Sequence, residues 1–191
     1  TEMLSIPTSP DSVIHRDWLL LDADAIIFLT TEKLGKSIDI AYSIYDIRAK
    51  KIVLKKKIYG VPDGLRQSSH YVSDGIYKHY YGIEGVSSTK LMYVAKNDDI
   101  YRLIVSDADG FNEQTLLKST QSIISPAWSP DAKDVAYVSF ENNRAQVFTQ
   151  NLETGTRKLI LSSKFSVSAP AWSPDRRYLS LIHISEPTRR S

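Results

Sequence analysis

Chemistry near neutral pH could come from four histidines in this 191-residue sequence: His15, His70, His79 and His183. His70 and Asp74 stand one helical turn apart, a spacing that could put two ligands on one metal ion. They face away from Leu65, Val72 and Ile76, and no third ligand is in reach, so a solvated helix face is expected. His79 falls on the apolar side of the same stretch and reads as a packed histidine rather than a base. His15 has only Asp17 close by, and His183 lies in a C-terminal stretch unlike the rest. Gly35-Lys36-Ser37 imitates the end of a phosphate-binding loop, but Thr30 stands where its first glycine must be. No Gly-x-Ser-x-Gly elbow is present. The acidic turn Asp107-Ala108-Asp109-Gly110 lacks the spaced glutamate of a calcium loop and reads as an ordinary tight turn. No catalytic residue, cofactor site or metal site is expected.

Composition sets the outer limits. An apolar share of 42% and a charged share of 24% fit a globular protein of one or two domains with a real core. The net charge is +2, and the one dense basic run, Lys55-Lys56-Lys57 after Lys50-Lys51, reads as a solvated strand end rather than a nucleic-acid surface. Cysteine is absent, which excludes disulfides and thiolate metal sites and leaves the redox compartment open. No apolar run reaches the ~20 residues of a membrane span. The opening "TEMLSIPTSP" lacks the layout of a secretory signal, so either the protein is cytosolic or its signal lies outside this sequence.

The organising feature is a repeat. Pro-Ala-Trp-Ser-Pro-Asp occurs at 126–131 and again at 170–175, 44 positions apart, and places Trp128 and Trp172 in matching positions. At the same offset Leu91 onward lies over Val135 onward, pairing Tyr93 with Tyr137 and Asp107 with Asn151. Each unit alternates short β-rich runs with Asn/Asp/Gly turns, the pattern of antiparallel strands. Four strands in about 40–45 residues is one β-propeller blade. Ala127-Trp128 then forms the innermost strand, with the indole between blades, and Ser129-Pro130-Asp131 forms the turn that leaves it. Ala132 and Arg176 stand where such turns favour glycine, at some cost in turn stability. Residues 86–182 supply about two blades, too few to close a ring, so an open edge and self-association are expected.

Residues 1–85 have a different pattern. "DSVIHRDWLL" is a short helical stretch, Ala25–Leu29 a strand, and Ile38, Ile40, Tyr42 and Ile44 alternate with polar or small residues to give one buried and one wet face. A turn over Asp46–Lys51 returns the chain into Ile52–Tyr59. A helix follows, capped by Asp63, carrying Leu65, Ser69, Val72, Ile76 and Tyr80 on one face and ending at Gly82. Two helices on a small sheet make an α+β domain able to fold on its own, joined to the blades through Gly85–Thr89. Residues 183–191 are expected to be a non-native tail.

The stretches "GLRQSSHYVSDGIYKHYYGIEGVSSTKLMYV", "VSDADGFNEQTLL" and "SPAWSPDAKDVAYVSFENNRAQVFTQNLETGTRKLI" resemble, in that order, the helix, domain junction and first blades of the TolB family of the Tol–Pal system. The similarity covers roughly residues 15–182; "AWSPD" alone is shared by many propellers, whereas the helix–junction–blade order is specific. The resemblance implies a periplasmic protein with an N-terminal α+β domain and a six-bladed propeller, whose signal peptide lies outside this chain. It also implies binding to the lipoprotein Pal through the propeller and to TolA through the N-terminal region. The roles implied are outer-membrane integrity, constriction at division and bacteriocin import, with no enzyme activity, nucleic-acid partner or membrane span. A second reading is the propeller of a prolyl-oligopeptidase-type serine peptidase without its catalytic domain.

Overall fold

The structure, a computed structural model, describes residues 6–62, 65–164 and 166–184, with the backbone alone at 60–62, 166, 183 and 184. The chain divides into two compact units, one ending at Ser88 and one starting at Thr89.

The first unit runs through a 3-10 turn (Pro10–Ser12), α1 (His15–Leu20), β1 (Ala25–Leu34), β2 (Ser37–Asp46), β3 (Lys51–Pro62) and α2 (Leu65–Tyr81). The three strands form an antiparallel sheet in the order β1-β2-β3. β1 extends past the expected end at Leu29. Thr30 and Thr31 continue the β-branched run, and Gly35, at φ 63°, closes a two-residue hairpin with Lys36. The apparent phosphate-loop ending is therefore a hairpin turn.

β2 is the central strand, and Ile40, Tyr42 and Ile44 are buried along one face as expected. The opposite face is not wet: Asp39 and Tyr45 are each 6% exposed. Lys57 of β3 reaches the Asp39 carboxylate at 3.2 Å, and His15 Nε2 lies 2.8 Å from the Tyr45 hydroxyl. Alternation identifies which side chains share a face but not what covers the second face. The Lys55-Lys56-Lys57 run lies in mid-strand, not at a strand end, opposite Ser43, Tyr42 and Ala41.

α2 lies on the Ile40–Tyr42 face, where Val72 is buried and Ile76 packs around the same cluster. Ser68 is also buried, but Leu65 and Tyr80 are 60% and 51% exposed, so the covered stripe is narrower than the period implied. His79 is exposed and meets only the edge of the Tyr80 ring, which corrects its expected packing. The helix stops at Gly82 (φ 73°), whose N–H donates to the Lys78 carbonyl. The Asp63 cap lies outside the described residues.

Gly75 sets how close α2 comes to the sheet. A Cβ there would lie 2.0 Å from the Tyr42 hydroxyl oxygen.

Among the described residues the second unit contains nine strands: β4 (Lys90–Asn97), β5 (Ile100–Asp107), β6 (Gln114–Ser119), β7 (Ile123–Trp128), β8 (Asp134–Ser139), β9 (Ala145–Asn151), β10 (Arg157–Ser163), β11 (Ser166–Trp172) and β12 (Leu179–Ile184). They form antiparallel sheets β4-β5-β6, β7-β8-β9-β10 and β11-β12. The 44-residue offset carries β4, β5 and β6 onto β8, β9 and β10, and β7 onto β11. The first sheet thus corresponds to the outer three strands of the second.

The β7–β10 sheet is apolar on both faces and is covered twice. Leu103 of β5 joins Ile123, Val135, Tyr137 and Phe148 in one core, with Trp128 against it as expected of an indole between blades. Val138, Ala145 and Val147 join Val167 in the next, with Leu179 and Leu181 packed around them. β12 pairs through Ile184, two residues beyond the predicted end of the blade pattern, because His183 and Ile184 still lie opposite Val167 and Ser166.

Gly75→Ala should destabilise the first unit by about 1–3 kcal/mol, since overpacking exceeds the gain in helix propensity. Adding Tyr42→Phe, which removes the clashing oxygen, should recover part of that loss. Hydrogen exchange at the β2 amides reads both effects.

Candidate functional site

In the first unit, Asp74 and His15 are engaged locally. The Asp74 carboxylate accepts hydrogen bonds from the Ser87 and Ser88 backbone N–H groups at 2.7 and 2.9 Å, pinning the segment after α2 against the helix. Burial alone would raise this carboxyl, but the hydrogen bonds from Ser88 and Ser87 outweigh it and hold it below the usual range. Asp74 therefore anchors a loop and does not lie on a solvated face. His15 is committed to Tyr45, and His70 is half-buried on α2. The His183 side chain lies outside the described residues.

In the second unit the polar chemistry sits at the strand ends. The repeated turn is built identically twice. Ala132 N–H donates to the Ser129 carbonyl, as Arg176 N–H does to Ser173, each at 2.9 Å. The Ser129 and Ser173 hydroxyls donate to Asp131 and Asp175 and accept from the N–H of Asp134 and Tyr178. Proline at the second position and an Asp folded onto its own turn account for both copies. A second repeated feature was not legible: Ser125 and Ala169, 44 apart, take φ near 50° at a bulge in β7 and β11.

A cross-strand polar pair also recurs with altered chemistry. Asp107 accepts from Lys90 and, at 2.7 Å, from Asn112; the Lys90 bond chiefly keeps its carboxyl below the usual range. One repeat later Asn151 donates to Asp134 at 2.8 Å, and its carbonyl oxygen accepts from the Glu153 and Thr154 N–H groups. The acidic turn at 107–110 is thus a tight turn closed by Gly110 at φ 82°, as expected.

Blade-to-blade connections use the positions that depart from glycine. Arg176, at φ 62°, sends its two guanidinium nitrogens to the carboxylates of Asp131 and Asp134 in the preceding turn. The residue expected only to weaken its turn therefore ties two blades together. At the previous seam the matching residue is Ala132, which cannot reach, and a cavity of about 340 Å³ opens there beside Lys90, Leu116, Trp128 and Leu152. Gln150 crosses that seam, accepting from the Tyr137 hydroxyl at 3.0 Å and donating to the Leu116 carbonyl at 3.3 Å.

Arg157 lies further out. It forks the Glu141 carboxylate at 2.8 and 3.0 Å while its guanidinium stacks 3.5 Å from the Phe148 ring centre. The Arg157 bonds chiefly hold the Glu141 carboxyl below its ordinary value.

These sheets, turns and seams match a known domain: residues 77–187 fit the TolB beta propeller domain. The chain belongs to the TolB family. Its fold is an α+β N-terminal domain followed by β-propeller blades, fewer than a closed ring requires. Among curated relatives, "Tol-Pal system protein TolB" of Hahella chejuensis is 40% identical over 165 residues, covering 82% of this chain and 38% of that protein. The protein of the same name from Pseudomonas fluorescens strain Pf-5 is 38% identical over 161 residues, covering 82% of this chain and 37% of that protein. The crystal structure of TolB from Acinetobacter baumannii superposes with a TM-score of 0.81 at 34% identity, over 92% of this chain and 45% of that one. The chain thus matches less than half the length of each of these relatives, from 37% to 45%.

Two sets of variants test the turn and clamp assignments. Ala132→Gly should stabilise the second unit by about 0.5–1 kcal/mol by relieving a left-handed alanine. Arg176→Ala should cost more than Arg176→Gly, because alanine keeps the backbone strain and loses the fork; urea unfolding ranks the three. Glu141→Gln should cost about 1–2 kcal/mol at pH 7. Because the folded Glu141 carboxyl is lowered, its contribution is complete above its unfolded value and is lost as pH falls through the folded one. The difference between wild type and Glu141→Gln in melting temperature should therefore shrink towards pH 3.

Proposed function

We propose that this chain is part of a non-enzymatic, protein-binding component of the Tol–Pal system, acting in the periplasm. In this reading the propeller holds a Pal-type lipoprotein and the N-terminal region serves TolA. The complex then supports outer-membrane integrity and constriction at division, and is the route that bacteriocins exploit for import.

The observation that carries the proposal is the use of the polar side chains in the blades. Asp131, Asp134, Arg176, Glu141 and Arg157 are each spent on a turn, a seam or an outer strand. A scaffold whose charges fix blade against blade presents a rigid surface, which lowers the ordering cost of docking a partner. The names of the relatives, all Tol-Pal system protein TolB, support the same assignment.

The test uses the complete gene product. Calorimetry against the soluble domain of the Pal-type lipoprotein from the same organism should give saturable binding, while peptidase, esterase and phosphatase substrates turn over at background rate. Hydrolysis that disappears in His70→Ala or His79→Ala would overturn the proposal, as would the absence of any lipoprotein binding.

A further inference from the structure

A groove in the first unit lies between β3 and α2, with a volume of about 590 Å³, in the range of ligand sites. Four charged residues line it, and three are already engaged. Asp74 is held by the Ser87 and Ser88 N–H groups, and Lys78 is paired with Glu84. The fourth, Lys56, has no ionic or hydrogen-bonding partner among the described residues.

Lys56 is also unusual in its placement. The register sets it opposite Tyr42, on the sheet face that α2 covers, between Leu54 and Ile58, which both pack around the Ile40–Tyr42–Val72 cluster. A lysine within an apolar row requires a reason. β3 is moreover an edge strand, pairing with β2 alone among the described residues, and it carries Lys51, Lys55, Lys56 and Lys57, of which only Lys57 meets a carboxylate there, that of Asp39. Lysines on an edge repel neutral and basic strands from joining the sheet. The same charges admit a strand of opposite sign, because oppositely charged cross-strand neighbours attract. Glu84 shows that a carboxylate fits the groove at Lys78.

We propose that the edge of β3 and the adjoining groove bind an extended acidic peptide segment, added as a fourth strand. Its central carboxylate pairs with Lys56 and, on the same face, competes with Glu84 for Lys78. Flanking apolar side chains lie over Leu54 and Ile58 and against the exposed Tyr59 ring. Main-chain hydrogen bonds supply affinity and the lysines supply selectivity, the division of labour in strand addition. Every lining residue belongs to the first unit, so the site stands or falls independently of the lipoprotein assignment.

The test uses the 191-residue chain and a fluorescein-labelled pentapeptide with three central glutamates flanked by valines. Fluorescence anisotropy should show saturable binding, and hydrogen exchange should show new protection at β3 amides. Lys56→Glu, at an exposed position, should keep the circular dichroism spectrum and weaken binding at least ~10-fold, a charge reversal worth one decade or more. Lys78→Gln should weaken it less, and Lys133→Glu in the second unit should leave it unchanged. Four results would overturn the proposal. They are no saturable binding, equal loss in Lys133→Glu, equal binding of a peptide with lysines for glutamates, and binding without protection of β3. Displacement by millimolar inorganic phosphate would do the same, since the groove would then be a simple anion site.

Discussion

A blade of this propeller cannot stand alone, and that constraint shapes the second unit. The β7–β10 sheet is apolar on both faces, so alone it has nowhere to hide them, and its stability comes from the seams with its neighbours. Leu103 from one sheet and Val135, Tyr137 and Phe148 from the next form a common core. Val138 and Val147 meet Val167 across the following seam. The conserved spelling of the two turns serves this packing. The same turn hydrogen bonds follow each tryptophan at the end of its inner strand.

Polar groups at the strand ends are constrained less tightly, and there the repeats diverge. Lys90 with Asp107 and Asp134 with Asn151 are the same cross-strand pair in two chemistries, both satisfied. Arg176 and Ala132 occupy one left-handed position and make opposite contributions. Arginine adds a fork to two carboxylates across a seam, and alanine leaves a cavity at the seam before. A repeat can vary at such sites because the hydrophobic seam, not the turn, decides whether the blades associate.

Much of this was legible in the sequence for a physical reason. The 44-residue offset reports structure that is reused, so the strands, the proline turn and the indole between blades followed from it. The alternation in β2 identified Ile40, Tyr42 and Ile44 as buried. What escaped depends on segments meeting in space. Asp74 was expected on a solvated face because helical spacing cannot show that Ser87 and Ser88 fold back onto it. His79 was placed in the core because a period of 3.6 marks a face without fixing how wide a stripe the sheet covers. The partners of Arg176, 42 and 45 residues away, leave no local trace, and neither does the lack of one for Lys56.

Arg157 guards the outer margin of the second blade. β10 is its outermost strand, paired along one edge only among the described residues, with Leu159, Ile160 and Leu161 facing solvent. Such a strand is the natural place for local opening to begin. Its first residue, however, is riveted: the guanidinium is stacked on Phe148 and forked to Glu141, so releasing that end exposes an aromatic ring and breaks a two-point ion pair at once. A break in register between Leu159 and Leu161 then separates this riveted end from the rest of the strand. Opening that starts at Arg157 must therefore break both contacts before it reaches the exposed leucines, so the polar fork protects an apolar margin.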